Sequence, residues 1–177
     1  SWNKEVGVRT QNLLSFLSLE FSLFDLDIKN LVAAGRGTAF KNLGEVETMG
    51  TELYSKFDFS KYPILPTIYF SHTFLNTTIK SGYLDPYYFM GTGAPIDLSG
   101  NVLPYSPKNT FFLGIEQKIF KNRMNLRLEL KYVDRVFTDF HNILEIGQVG
   151  IKGPVDSFYL LNGNISYQFS KNILVDI

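Results

Sequence analysis

Between Met124 and Tyr132 every second residue is apolar. Met124, Leu126, Leu128, Leu130 and Tyr132 fall on one side, and Asn125, Arg127, Glu129 and Lys131 on the other. A strict period of two marks a β-strand with one apolar face and one wet, charged face. The same alternation recurs along the chain and predicts eight strands. The first covers about 3–11, with Val6 and Val8 opposite Glu5, Gly7, Arg9 and Gln11. The second lies near 15–28, where Leu17, Leu19, Phe21 and Leu23 alternate with Ser18, Glu20 and Ser22. The third spans about 40–59, the fourth 65–79, the fifth 109–119 and the sixth 124–132. The seventh sets Tyr159, Leu161, Gly163, Ile165, Tyr167 and Phe169 against Asn162, Asn164, Ser166 and Gln168, and an eighth begins at Ile173.

The connections alternate in length. Residues 12–14, 60–63, 120–123 and 170–172 are tight, whereas 29–38, 80–108 and 138–157 are long and rich in turn residues. This rhythm predicts an antiparallel up-and-down meander with short turns at one end and large loops at the other, the layout of bacterial outer-membrane barrels. Strands of about 11–15 residues also suit a tilted span, which needs roughly 9–11 residues in hydrocarbon. Phe16, Phe57, Phe59, Tyr62, Phe120, Tyr167 and Phe169 gather beside the short turns, where an interfacial girdle would place them. A soluble sandwich or lipocalin-like barrel alternates in the same way, with its apolar face filling a closed interior. Against it stand strands longer than the usual five or six or so residues, long loops at one end only, and full charges on the polar face.

Composition narrows the classes further. Lys plus Arg and Asp plus Glu both number 17, so net charge gives no pointer to nucleic acid and any functional charge must be local. Cysteine is absent, which excludes disulfides, thiolate metal sites and a Cys nucleophile. No run of about 18 apolar residues exists, so no transmembrane helix is expected. The chain opens Ser1-Trp2-Asn3-Lys4 without an initiator Met or a signal peptide and stops inside the eighth strand, so both ends read as cut.

Five segments occur in an order that resembles a known family: Glu5-Val6-Gly7-Val8-Arg9, Leu19 to Asp27, Asn42-Leu43-Gly44-Glu45 through Gly50-Thr51-Glu52-Leu53, Leu103-Pro104-Tyr105-Ser106-Pro107-Lys108, and Phe137-Thr138-Asp139-Phe140. Together they resemble the C-terminal barrel of TonB-dependent outer-membrane receptors, closest to the ferric-dicitrate receptor branch. The resemblance implies an all-β fold in which residues 1–177 form a partial segment of a transmembrane barrel of about 22 strands, with the plug domain and terminal strand absent. It also implies a bacterial outer-membrane location, lipid around the barrel, a ferric chelate (ferric citrate or a siderophore) as ligand, and a TonB complex reached through the missing plug. No cofactor and no nucleic acid is implied. Such a piece, taken alone, is expected to form an open sheet with unpaired first and last strands or a small closed barrel. Gly44 and Gly50 are expected at a bulge or close backbone contact. Pro104 and Pro107 are expected to hold the chain extended before the fifth strand.

Catalytic chemistry is thinly represented. His72 and His141 are the only histidines and show no H-x-x-x-H spacing, so a preformed metal site is not expected. Asp139, His141 and nearby Asp134 form a conceivable acid–base group, against the plainer reading of a solvated loop. Gly91-Thr92-Gly93 lacks the Lys-Ser/Thr of a phosphate loop, and Ser106 and Ser157 lack a nucleophile elbow. The ligand candidates are therefore in loops. Arg36, between Gly35 and Gly37, would grip a carboxylate-rich chelate in bidentate fashion. Tyr87 and Tyr88 would close over a ligand with large, stiff surfaces. Transport thus leads, with a small outer-membrane barrel enzyme and a soluble ligand-binding barrel as the alternatives.

Overall fold

The computed structural model describes residues 1–34, 40–42, 44–59, 61–62, 64–84, 95–145 and 153–177. In chain order its strands are β1 (Trp2–Leu13), β2 (Leu17–Ile28), β3 (Val32–Ala34), β4 (Phe40–Asn42), β5 (Glu45–Phe57), β6 (Thr67–Ser81), β7 (Tyr83–Leu84), β8 (Ile96–Asp97), β9 (Asn109–Ile119), β10 (Met124–Val133), β11 (Val136–Phe137), β12 (Pro154–Val155), β13 (Phe158–Ser170) and β14 (Ile173–Asp176). Eight of them build one antiparallel sheet in the order β1-β2-β5-β6-β9-β10-β13-β14. Each strand neighbours the next long strand in sequence, as the short and long connections require. β1 and β14 are paired on one side only, so the sheet is open.

The remaining six strands form three two-stranded ladders, β3–β4, β7–β8 and β11–β12. Each ladder stands at the base of one long connection. This corrects the expected third strand, which breaks in two. Gly44 adopts φ +99°, and a Cβ there would run into the Ser81 carbonyl. The chain turns at that glycine, so residues 40–42 pair back with β3 instead of extending β5. The fourth strand also begins later than expected, because Leu65 is held in a turn by its N–H bond to the Tyr62 carbonyl (2.9 Å).

The tight ends carry the expected turn geometry. Asn12, Leu14 and Ser15 adopt positive φ in the first turn, as do Phe120, Lys121 and Asn122 in the third. Gly50 accommodates close packing: a Cβ would strike the Phe24 ring and the Phe74 carbonyl. The lead-in to β9 differs from the extended path expected of its prolines. Tyr105 adopts φ +57° and donates its N–H to the Phe137 carbonyl (2.9 Å), which bends the chain between Pro104 and Pro107.

Candidate functional site

Register decides which side chains share a face. One row runs Phe21–Leu53–His72–Phe111–Tyr132–Tyr159 across β2, β5, β6, β9, β10 and β13. Two residues further along the same strands lie Leu19, Ser55, Phe70, Leu113, Leu130 and Leu161. The apolar alternation of all these strands therefore falls on a single face. Among the described residues no second layer covers it: Val6 is 68% exposed, Leu128 50% and Leu161 69%. The interdigitated dry interior required by a closed soluble barrel is absent from this sheet.

Aromatic rings bound this face at both ends. Beside the short turns Phe16 stacks on Phe59 at 5.2 Å and Tyr167 meets Phe169 edge-on at 4.5 Å. The second belt lies toward the long connections, where His72 stacks on Phe111, Phe111 leans on Tyr132 (5.9 Å) and Tyr132 on Tyr159 (4.8 Å). Sequence inspection identified only the first belt. The second assembles from residues far apart in the chain that only the strand register aligns.

The opposite face is polar and answers many of its own charges. Arg9 pairs with Glu20, Lys56 with Asp58 (2.9 Å) and Arg127 with Glu129. Glu116 lies across from Arg127 and accepts a weak bond from the Tyr69 hydroxyl (3.4 Å), while Lys56 sits 5.7 Å from the Tyr69 ring centre. Lys56, Tyr62, Tyr69, Glu116 and Lys118 line a groove of about 300 Å³ near the short turns. Glu52 is exposed on this face.

Sidedness inverts toward the long connections. Asp25 lies opposite Met49 and Lys4, and Asp27 opposite Glu47 and Trp2, all in line with the apolar face below them. Lys80 pairs with Glu47, and Lys29 with Glu45. On the other face Ile28, Val46 and Ile79 stand in one row. Val46, Ile79 and Leu98 are fully buried, with Leu31, Leu103 and Phe140 packed around them. All three long connections thus contribute to one small core on the polar-face side of β5 and β6. These strands continue past the start of β9 by the length of Leu75–Ser81, about 20 Å at strand rise.

The turn Leu98–Asn101 fills that step. Ile79 donates its N–H to the Asn101 carbonyl and accepts from Gly100 N–H, both at 2.8 Å. Asp97 fixes the turn by accepting from the Ser99 hydroxyl (2.6 Å) and N–H (2.9 Å), and these bonds hold its pKa below the usual carboxylate value. Asp134 is lowered in the same sense, first by the Asn109 amide (3.1 Å), then by the Arg135 N–H and the Tyr132 hydroxyl.

Of the acid–base candidates, Asp139 and His141 meet, whereas Asp134 is engaged elsewhere. Asp139 Oδ1 accepts the His141 N–H (2.8 Å) and lies 3.7 Å from its Nδ1, so it shapes a turn. Asp134 is engaged with Asn109, Tyr132 and Arg135, and His72 with Asn109 (3.1 Å). Among the described residues no group of three or more His, Cys, Asp or Glu side chains is arranged to hold a metal ion. Arg36, Tyr87 and Tyr88 lie outside the described residues, as does Gly91-Thr92-Gly93; the β3–β4 ladder flanks the first and β7–β8 the others. No helix among the described residues is long and apolar enough to cross a membrane.

Comparison with known proteins places this geometry. The family model described as TonB dependent receptor-like, beta-barrel, matches residues 1–177. No curated protein matches the chain. Among solved structures, the siderophore receptor PiuA from Acinetobacter baumannii is 21% identical with a TM-score of 0.72, covering 98% of this chain and 23% of its own. The ferric citrate transporter FecA in its unliganded form is 22% identical with a TM-score of 0.73, covering 96% and 24%. The ferric yersiniabactin uptake receptor FyuA from Yersinia pestis is 15% identical with a TM-score of 0.71, covering 98% and 23%. The chain therefore spans about a quarter of the length of the structures it matches.

Proposed function

We propose, from the premise that this chain belongs to the TonB-dependent receptor-like β-barrel family, that it forms part of the wall of an outer-membrane receptor importing a ferric chelate. The family is one of transport receptors rather than enzymes, and its members are outer-membrane proteins. The observation that carries the reading is the uncovered apolar face running across the sheet between two aromatic belts, backed by a charged face. Lipid satisfies the first and water the second.

In this reading residues 1–177 are about eight of some 22 strands. The remaining wall, a plug and contact with a TonB complex belong to the rest of the receptor. The short turns face the periplasm and the ladder-based connections face outward. The cargo is a siderophore complex or ferric citrate. The likeness of the five ordered segments, taken together, to the ferric-dicitrate branch favours the citrate complex. In this reading Arg36 pairs with cargo carboxylates and Tyr87 and Tyr88 cover the cargo, a role that rests on their chemistry and on their position in the long connections of the sequence.

The test is uptake of radiolabelled iron by cells carrying the full-length receptor, offered in turn as ferric citrate, a ferric catecholate and a ferric hydroxamate. Ferric citrate uptake that depends on TonB and falls about tenfold or more with Arg36→Ala is the expected result. Uptake of the catecholate alone would overturn the citrate assignment. Failure of all three with the receptor correctly inserted would overturn the cargo class.

A further inference from the structure

Between the second and third long connections lies a set of contacts that neither makes with its own neighbours in sequence. Asn142 takes φ +54°, a conformation Asn tolerates better than most residues. Its side chain meets the backbone of Val102 twice: Oδ1 accepts the Val102 N–H (2.6 Å) and Nδ2 donates to the Val102 carbonyl (2.9 Å). The same Nδ2 reaches the Asp139 carbonyl (3.3 Å), tying the bond to its own turn. One planar amide thus imitates a strand partner for Val102. From the other side, Asn101 donates its side-chain amide to the Phe140 carbonyl (2.8 Å). Tyr105 N–H adds a backbone bond to Phe137.

This reciprocal pair sits on the small core described above. Leu98 and Leu103 of the second connection and Phe140 of the third pack with Val46 and Ile79 of the wall. The 98–101 turn is also hydrogen-bonded to Ile79. We propose that residues 98–105 of the second long connection and 137–142 of the third are one mechanical unit, latched through Asn142 and Asn101 and seated on the raised part of β5 and β6. A displacement imposed on either is carried to the other. The consequence for binding is linkage: a ligand that orders one connection lowers the ordering cost at the other. The latch stands on geometry alone and does not depend on which cargo the receptor takes.

Hydrogen exchange of the full-length protein tests the latch through amides that the mutated side chains do not touch. In Asn142→Ala the amides of Leu98 and Gly100 are expected to exchange about tenfold faster, because losing the clamp lets the whole turn lift from Ile79. In Asn101→Ala the same rise is expected at His141 and Asn142. Leu144→Ala, an exposed change in the third connection outside the latch, is expected to move neither set. Loosening confined to the mutated connection in both variants would overturn the proposal. Protection of the β9–β10 amides in the same run reports an intact barrel. Should Asn142→Ala lower it, Asn142→Asp replaces it, keeping an acceptor for Val102 but setting a carboxylate against the Val102 and Asp139 carbonyls, and is judged by the same two outcomes.

Discussion

The imidazole of His72 lies flat on the ring of Phe111, with centroids 4.2 Å apart and planes 8° from parallel. The same histidine bonds Asn109 through Nε2, and Asn109 in turn bonds Asp134. His72 therefore serves as an amphipathic ring at the upper aromatic belt, apolar against Phe111 and polar toward the loop side.

His72→Ala is expected to lower stability by about 1 kcal/mol, from the lost ring contact and hydrogen bond. His72→Phe is expected to recover part of it and to leave cargo uptake unchanged. Urea unfolding of the receptor in detergent, paired with uptake by cells, measures both. A His72→Phe variant that keeps its stability but loses uptake would give this histidine a chemical role.

The two faces are separated by a matched pair of substitutions. Leu128 and Asn162 lie near the middle of adjacent strands on opposite faces. Leu128→Arg is expected to cost about 2–4 kcal/mol, the range for a cation set into the middle of a bilayer from a barrel wall. Asn162→Arg, in a wet interior, is expected to cost less than about 1 kcal/mol. Equilibrium unfolding from lipid vesicles gives both numbers, and equal penalties would remove lipid as the occupant of the apolar face.

Acid loosens the outer connections in a defined window. Asp97 and Asp134 both titrate below the unperturbed value of 3.8 because the folded chain donates hydrogen bonds to their ionised forms. A carboxylate lowered on folding contributes stability above its unfolded pKa, and that contribution is lost as pH falls through the folded value. The amide resonances of Ser99 and Arg135, whose N–H groups bond these carboxylates, are expected to titrate with midpoints below 3.8. Midpoints at or above that value would show that the carboxylates are not held as described.

Much of the wall was legible because a strand's period is local. The alternation around Leu126 and Leu128, and the polar turns at Asn12 and Asn122, needed no knowledge of distant residues. The inversion at Leu23–Phe24 was harder: two apolar neighbours break the alternation, and only the row through Ile28, Val46 and Ile79 shows that sidedness has changed while the strand continues. Gly44 was read as an interruption, but its positive φ, which splits the third strand, is a property of the fold. The latch at Asn142 was not legible at all. Its partner Val102 lies 40 positions away, and nothing in either segment announces the other. The candidate ligand residues Arg36, Tyr87 and Tyr88 rest on chemistry and loop position alone.

In the proposed receptor the ion pairs along the polar face would bear on traffic as well as on stability. Arg9, Lys56 and Arg127 each already hold a carboxylate. An anionic passenger sliding past them would have to displace a resident partner before it found a grip, and a cationic one would meet the same obstacle in reverse. In the proposed receptor such a wall would offer neither sign of charge an open grip at these three positions, and selection would fall to the long connections.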